Sequence, residues 1–131
     1  MILVDTSVLI DFLGDRKREG SERFKQVLSQ GIPFGINSFI FQEVLQGAAS
    51  EGQYRILRRY LETQRFYPLT DQVESYARAA RIYMDCRKRG ITVRSTIDCL
   101  VAETALEHNL ALLHQDGDFD SMAKVIPLKI Y

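Results

Sequence analysis

Apolar and polar positions fall in blocks along this chain. Ile2, Leu3 and Val4 form a short apolar run, and comparable runs recur at "IPFGI" (32–36), "RFYPL" (65–69), "LALLH" (110–114) and "VIPLKIY" (125–131). Short runs of this kind, flanked by turn formers and without strict alternation, predict buried strands. The segments between them repeat at helical spacing. In "TSVLIDFLG" a hydroxyl stands at the cap position, Val8, Leu9, Phe12 and Leu13 follow, and Gly14 stops the pattern. "EGSERFKQVLSQG" places Phe24, Val27 and Leu28 on one face before Gly31. "NSFIFQEVLQGA" opens on an Asn/Ser cap and puts Glu43 about two turns into a helix.

"SEGQYRILRRYLETQ" predicts a basic amphipathic helix. Thr70 and Asp71 are cap candidates for the longest helical pattern, which carries Val73, Tyr76, Ala77, Ala80, Ile82, Tyr83 and Met84 and ends at Gly90. Ser95 is expected to cap a further helix, with Asp98 at its third position and Leu100, Val101, Ala105 and Leu106 turned inward. "QDGDFDSMAK" reads as a loop or short helix. Strands separated by helices predict an α/β fold, and right-handed crossovers place helices on both faces of a mostly parallel sheet. The expectation is a three-layer α/β/α sandwich formed by one domain spanning 1–131.

Composition supports a folded chain: 46% of the residues are hydrophobic and 26% charged. No apolar stretch approaches the roughly 20 residues that cross a bilayer, and the first ten residues lack the order of a secretory signal. A cytoplasmic protein without a membrane partner is expected. Cys86 and Cys99 are the only cysteines and are not at metal-ligand spacing, which argues against a disulfide scaffold and a zinc site.

Net charge is zero, so overall charge makes no case for nucleic acid. Its distribution does. Residues 51–94 hold ten Lys/Arg against five acids, a local +5, whereas residues 95–131 hold two against six, a local −4. An acidic site flanked by phosphate-holding cations would give this split, and so would solvated helix faces.

The acids carry the candidate chemistry. Ligands of open parallel sheets gather at the carboxyl ends of the strands. Asp5 ends the first strand, Asp116 follows "LALLH", and Glu43 and Asp98 lie on helices that can face the same edge. Clustered carboxylates oppose one another's ionisation, and a hard cation such as Mg²⁺ or Mn²⁺ offsets that cost. Such an ion polarises a phosphodiester and activates a bound water. Thr6 and Ser7 add hydroxyls at the first helix's N-terminus, and Arg87, Lys88, Arg89 and Arg94 are candidate phosphate contacts. Each acid also has a structural reading: Asp5 and Asp98 as helix caps, Glu43 as a surface residue, Asp116, Asp118 and Asp120 as turn formers.

Four segments in order resemble the PIN-domain family, and within it the VapC-type toxins of toxin–antitoxin pairs. They are "ILVDTSVLIDFL", "FIFQEVLQGA", "GITVRSTIDCLVAETAL" and "LLHQDGDFD". The resemblance runs nearly end to end. It implies that Asp5, Glu43, Asp98 and Asp116 surround Mg²⁺ or Mn²⁺, with Asp118 nearby and Thr6 or Ser7 assisting. It also implies metal-dependent endoribonuclease cleavage leaving a 5′-phosphate, a homodimer, and inhibition by a cognate antitoxin. "QDGDF" offers two aspartates for the last position, and Asp116 is preferred because it lies nearer the strand.

Two other readings compete. A phosphorylated receiver domain needs an Asp after a middle strand, where this chain has Asn37. A PIN-like module that docks a protein or RNA partner without cleaving would keep the same acids.

Overall fold

The computed structural model describes residues 1–131. In chain order it forms β1 (Ile2–Val4), α1 (Thr6–Leu13), α2 (Glu19–Ser29), β2 (Phe34–Ile36), α3 (Ser38–Gln46), α4 (Glu51–Leu61) and β3 (Arg65–Phe66). Then follow α5 (Glu74–Lys88), α6 (Thr96–Glu107), β4 (Ala111–Leu113), α7 (Gly117–Met122) and β5 (Lys129–Ile130). The strands make one sheet in the order β3-β2-β1-β4-β5, and every pairing is parallel. Ile2 registers with Phe34 on one side and with Ala111 on the other. The expected three-layer arrangement is observed.

The chain winds from β1 outward through β2 to β3, then returns across the sheet to β4 on the far side of β1. Adjacent connections therefore leave in opposite directions at β1 and β4. That reversal opens a crevice at the carboxyl ends of these two strands. β1 is fully buried, as parallel strands covered on both faces must be.

α6 is not amphipathic. Cys99 through Ala105 are all buried, so the helix is enclosed on every side, and its polar residues require partners. Thr104 receives a hydrogen bond from Asn37 Nδ2 (3.1 Å) and donates to the Leu100 carbonyl (2.8 Å). Glu103 accepts from Arg78 Nε at 2.9 Å.

Several expected boundaries change for identifiable reasons. "VIPLKIY" shortens to Lys129–Ile130, with one further bond from the Tyr131 amide to Leu112: the Val125 and Ile126 amides turn back to the Met122 carbonyl, and Pro127 has no amide to give. "RFYPL" shortens to Arg65–Phe66, with one further bond from the Tyr67 amide to Ile36 before Pro68. Ser95 occupies the cap position of α6 but makes no capping hydrogen bond. Asp71 does serve α5, accepting from the Val73 and Glu74 amides at 2.8 and 2.7 Å, while Thr70 instead bonds Glu107.

The buried face of α5 also differs from the expected stripe. Ser75, Ala79, Ile82 and Cys86 turn inward, whereas Val73, Tyr76 and Tyr83 are exposed. Small side chains let α5 approach α6 closely, so the face that packs is not the most apolar one.

Candidate active site

Asp5 follows directly from β1. Its amide continues the sheet by donating to the Leu113 carbonyl, and its carboxylate caps α1 by accepting from the Ser7 amide (3.1 Å) and the Ser7 hydroxyl (2.7 Å). The Ser7 hydroxyl in turn accepts from the Gln115 amide at 3.0 Å. The ends of β1 and β4 are thus tied through one serine. Asp5 is buried, and that burial raises its pKa against the lowering effect of the Ser7 hydrogen bonds; the Asp116 charge adds to the rise.

Thr6 supplies the second tie, donating its hydroxyl to Glu43 Oε1 at 2.8 Å. Glu43 is half-buried on α3, whose start is fixed by Asn37: its Oδ1 accepts from the Ile40 amide at 2.8 Å. The cap-plus-helix pattern in the sequence therefore aims Glu43 toward the β1 terminus.

On the far side of the crevice, carboxylate oxygens of Asp98, Asp116 and Asp118 all lie within 4.8 Å of one another. Asp98 stands in the first turn of α6, and Asp116 caps α7 by accepting from the Asp118 amide at 3.0 Å. Burial pushes the Asp98 pKa up to about 7, and the negative charges of Asp116, Asp5 and Asp118 push in the same direction. Asp5 thus belongs electrostatically to the same group, while Glu43 reaches it through Thr6.

Arg94 is the cation set against these acids. Its guanidinium donates to both oxygens of Asp118 (3.3 and 3.2 Å), its backbone amide donates to one of them, and the pair holds Asp118 below the ordinary carboxylate range. Arg94, a candidate phosphate contact in the sequence, thus lies against the acids. Arg87, Lys88 and Arg89 are exposed at the end of α5, and Arg87 lies over the Tyr83 ring at 5.6 Å. None of their contacts reaches the acids.

A polar layer behind the strand ends was not anticipated. Asp11 is buried beneath Arg16 and Arg18, and Gln115 bridges the Asp11 carboxylate to the Gly20 amide. A Cβ at position 20 would collide with the Gln115 side chain, so this approach requires glycine. The one signal in the sequence is an acid inside the otherwise apolar "VLIDFLG".

All ligand atoms offered by the acid group are hard oxygens, and the group has too few cations of its own to balance it. That donor set fits Mg²⁺ or Mn²⁺ and not a soft metal.

Comparison with known proteins agrees with the geometry. The model of the PIN domain family matches residues 2–125. Ribonuclease VapC11 of Mycobacterium tuberculosis is 31% identical over 130 residues, covering 98% of this chain and 96% of its own length. Ribonuclease VapC4 of the same organism is 33% identical over 129 residues, covering 94% and 92%. Among solved structures, VapBC2 from Rickettsia felis, bound to a promoter DNA fragment, superposes with a TM-score of 0.76 at 13% identity, over 100% of this chain and 98% of that one. A toxin–antitoxin complex from Klebsiella pneumoniae gives 0.71 at 25% identity, over 99% and 100%. With an acid-lined crevice at the β1/β4 reversal and these full-length matches, the chain belongs to the PIN-domain family, in its VapC branch.

Proposed function

We propose that the protein is a Mg²⁺- or Mn²⁺-dependent endoribonuclease and the toxin of a toxin–antitoxin pair. The observation that carries this reading is the convergence of Asp98, Asp116 and Asp118 within 4.8 Å, with Asp5 adding its charge from across the crevice. Asp5, Asp98 and Asp116 would hold the ion, with Glu43 completing the acidic wall. When bound, the ion polarises the scissile phosphodiester and lowers the pKa of an attacking water.

The chain's own residues do the positioning. Ser7 fixes the Asp5 carboxylate, and Thr6 fixes Glu43. Arg94 engages both oxygens of Asp118, whereas Asp116 makes no ion pair with it, accepting from the Asp118 amide and sharing a hydrogen bond with the Asp98 carboxyl, which leaves Asp116 the freer ligand and supports it as the primary fourth acid. Arg87, Lys88, Arg89 and Arg94 would meet the RNA backbone.

The named relatives are ribonucleases, and solved neighbours come from toxin–antitoxin complexes. We extend both properties to this chain, as an RNA substrate and a cognate antitoxin as inhibitor, and add a homodimer, which the family resemblance implies, as the working form. No helix is long and apolar enough to cross a membrane. A nuclease acting on cellular RNA would work in the cytoplasm.

The test is incubation of the purified, partner-free chain with total cellular RNA and Mn²⁺, beside EDTA and Asp98→Asn controls, with new 5′ ends mapped. Discrete 5′-phosphate ends absent from both controls are expected. A folded, metal-binding chain that leaves the RNA intact would favour the docking module instead.

A further inference from the structure

Outside the acid group, His114 carries a polar atom that the fold leaves without a hydrogen bond. The Asp116 amide donates to His114 Nδ1 at 3.0 Å, which assigns the ring hydrogen to Nε2. That Nε2 is buried and has no hydrogen-bond partner. Asp120 Oδ1 covers it at 3.2 Å but out of line with the N–H, and the Asp120 side chain, 65% exposed, has room to turn aside and open the donor to the pocket. The His114 side chain is only 5% exposed, so bulk water does not serve it. A buried donor left without an acceptor is costly. A ligand that accepts from it would offset that cost.

The space beside it is a polar pocket of about 390 Å³. This lies within the roughly 300–1,000 Å³ typical of small-molecule sites and well above one water's share of about 30 Å³. Its walls mix donors and acceptors: Arg18 and Arg23 against Glu19 and Asp120, with His114 and Gln115 at the base. The N-terminal turn of α2 forms one side, adding a partial positive charge. Arg23 is held in place over the Tyr131 ring at 5.0 Å. A site for phosphate alone would not place two carboxylates on its wall. A heterocycle edge, which offers donors and acceptors together, matches this lining. The pocket also adjoins the acids along the segment that follows β4: His114 lines it, and Asp116, two residues on, stands in the acid group.

The geometry points to a nucleobase subsite, in which the His114 Nε2–H donates to an acceptor on the edge of an unstacked base flanking the scissile phosphate. This rests on the ribonuclease reading for its substrate and supplies what that reading lacks, a basis for choosing RNA sequence. Single-stranded RNA is read through the edges of splayed bases, and a site built to hydrogen-bond one partner rejects analogues that leave its groups unpaired.

Two arms test it. The full chain, metal-free and isotope-labelled, is titrated with each of the four nucleoside 5′-monophosphates and with ribose 5-phosphate while the Gly20 and Gly117 amide signals are followed. One nucleotide is expected to shift them saturably, with ribose 5-phosphate inert and binding at least tenfold weaker in His114→Asn. Asparagine Oδ1 keeps an acceptor for the Asp116 amide and removes the donor at the Nε2 position, its own NH₂ branching from Cγ one bond short of it; Arg23→Gln serves as a second variant that leaves the segment after β4 untouched. An equal response to all five probes, no response, or unchanged selectivity in both variants would overturn the subsite.

The second arm maps cut sites on RNA. Wild-type ends should share one base at a fixed position beside the cut, and His114→Asn should flatten that preference at least tenfold. Nucleotide binding without cleavage would strike the ribonuclease reading and spare the pocket. Cleavage without base-selective binding would do the reverse.

Discussion

Asp98 bears a heavy electrostatic load in the crevice. Burial and three neighbouring carboxylates raise its pKa from 3.8 to about 7. A carboxyl whose folded-state pKa is raised contributes its stability below pH about 4 and loses it as pH rises through about 7. The metal-free protein should therefore melt progressively lower between pH 4 and pH 7. Asp98→Asn should flatten that slope and melt several degrees higher than wild type at pH 7.5, while losing at least a hundredfold in cleavage. Thermal scans across pH beside rate measurements check both halves; a variant that melts lower at every pH would contradict the account. Arg94→Gln removes the cation opposite Asp118 and should tighten Mn²⁺ binding several-fold while weakening RNA binding, measured by separate titrations.

At the same scale, Asp5, Asp98 and Asp116 were legible because each stands next to a strand end or helix start, where position alone suggests chemistry. His114, Gln115 and Asp11 were not. Each looks unremarkable in its own segment and gains meaning only when residues about a hundred positions apart meet, as Gln115 does with Ser7, Asp11 and Gly20.

Among elements, α6 depends most on satisfied polar partners. Asn37 both caps α3 and bonds Thr104 across to α6, and it is buried. Asn37→Ala removes the cap and strands a buried group, which should cost about 2–3 kcal/mol in urea unfolding; a loss under about 0.5 kcal/mol would mean that α3 is held by other contacts. Glu103 and Glu107 share Arg78 at the α5–α6 contact. Burial raises the Glu103 pKa, and the Arg78 guanidinium opposes that rise. Burial would raise Glu107 as well, but hydrogen bonds from Glu103, Ser75 and Thr70 outweigh it and hold its pKa at about 2. A depressed carboxyl contributes stability above its unfolded value of about 4.5 and loses it as pH falls toward 2. Glu107→Gln should therefore destabilise the protein at pH 7 and flatten its acid unfolding limb between those values, as read by circular dichroism.

Helix order and strand order came through in the sequence because hydrophobic period separates the two kinds of element well. Which face of a helix is buried was harder to read. On α5 the packed residues are Ser75 and Ala79 beside Ile82 and Cys86, chosen by close approach, while Tyr76 and Tyr83 remain outside. Similarly, the last strand was overextended because an apolar run does not reveal that its amides are already used by the turn after α7.

For the whole molecule, topology does the assembling. Reversal of direction between β1 and β4 opens the crevice, and short strands place Asp5 and Asp116 at its two lips. On the function proposed above, the charges that repel one another there would make the metal-free chain a receptor for a cation. Calorimetric titration of Mn²⁺ into the metal-free chain at pH 7.5, wild type beside Asp98→Asn, tests that claim most directly. The account predicts saturable binding at the acids, weakened at least tenfold by the substitution, together with a rise in melting temperature when Mn²⁺ is present. Equal binding by both proteins, or none by a folded wild type, would contradict it.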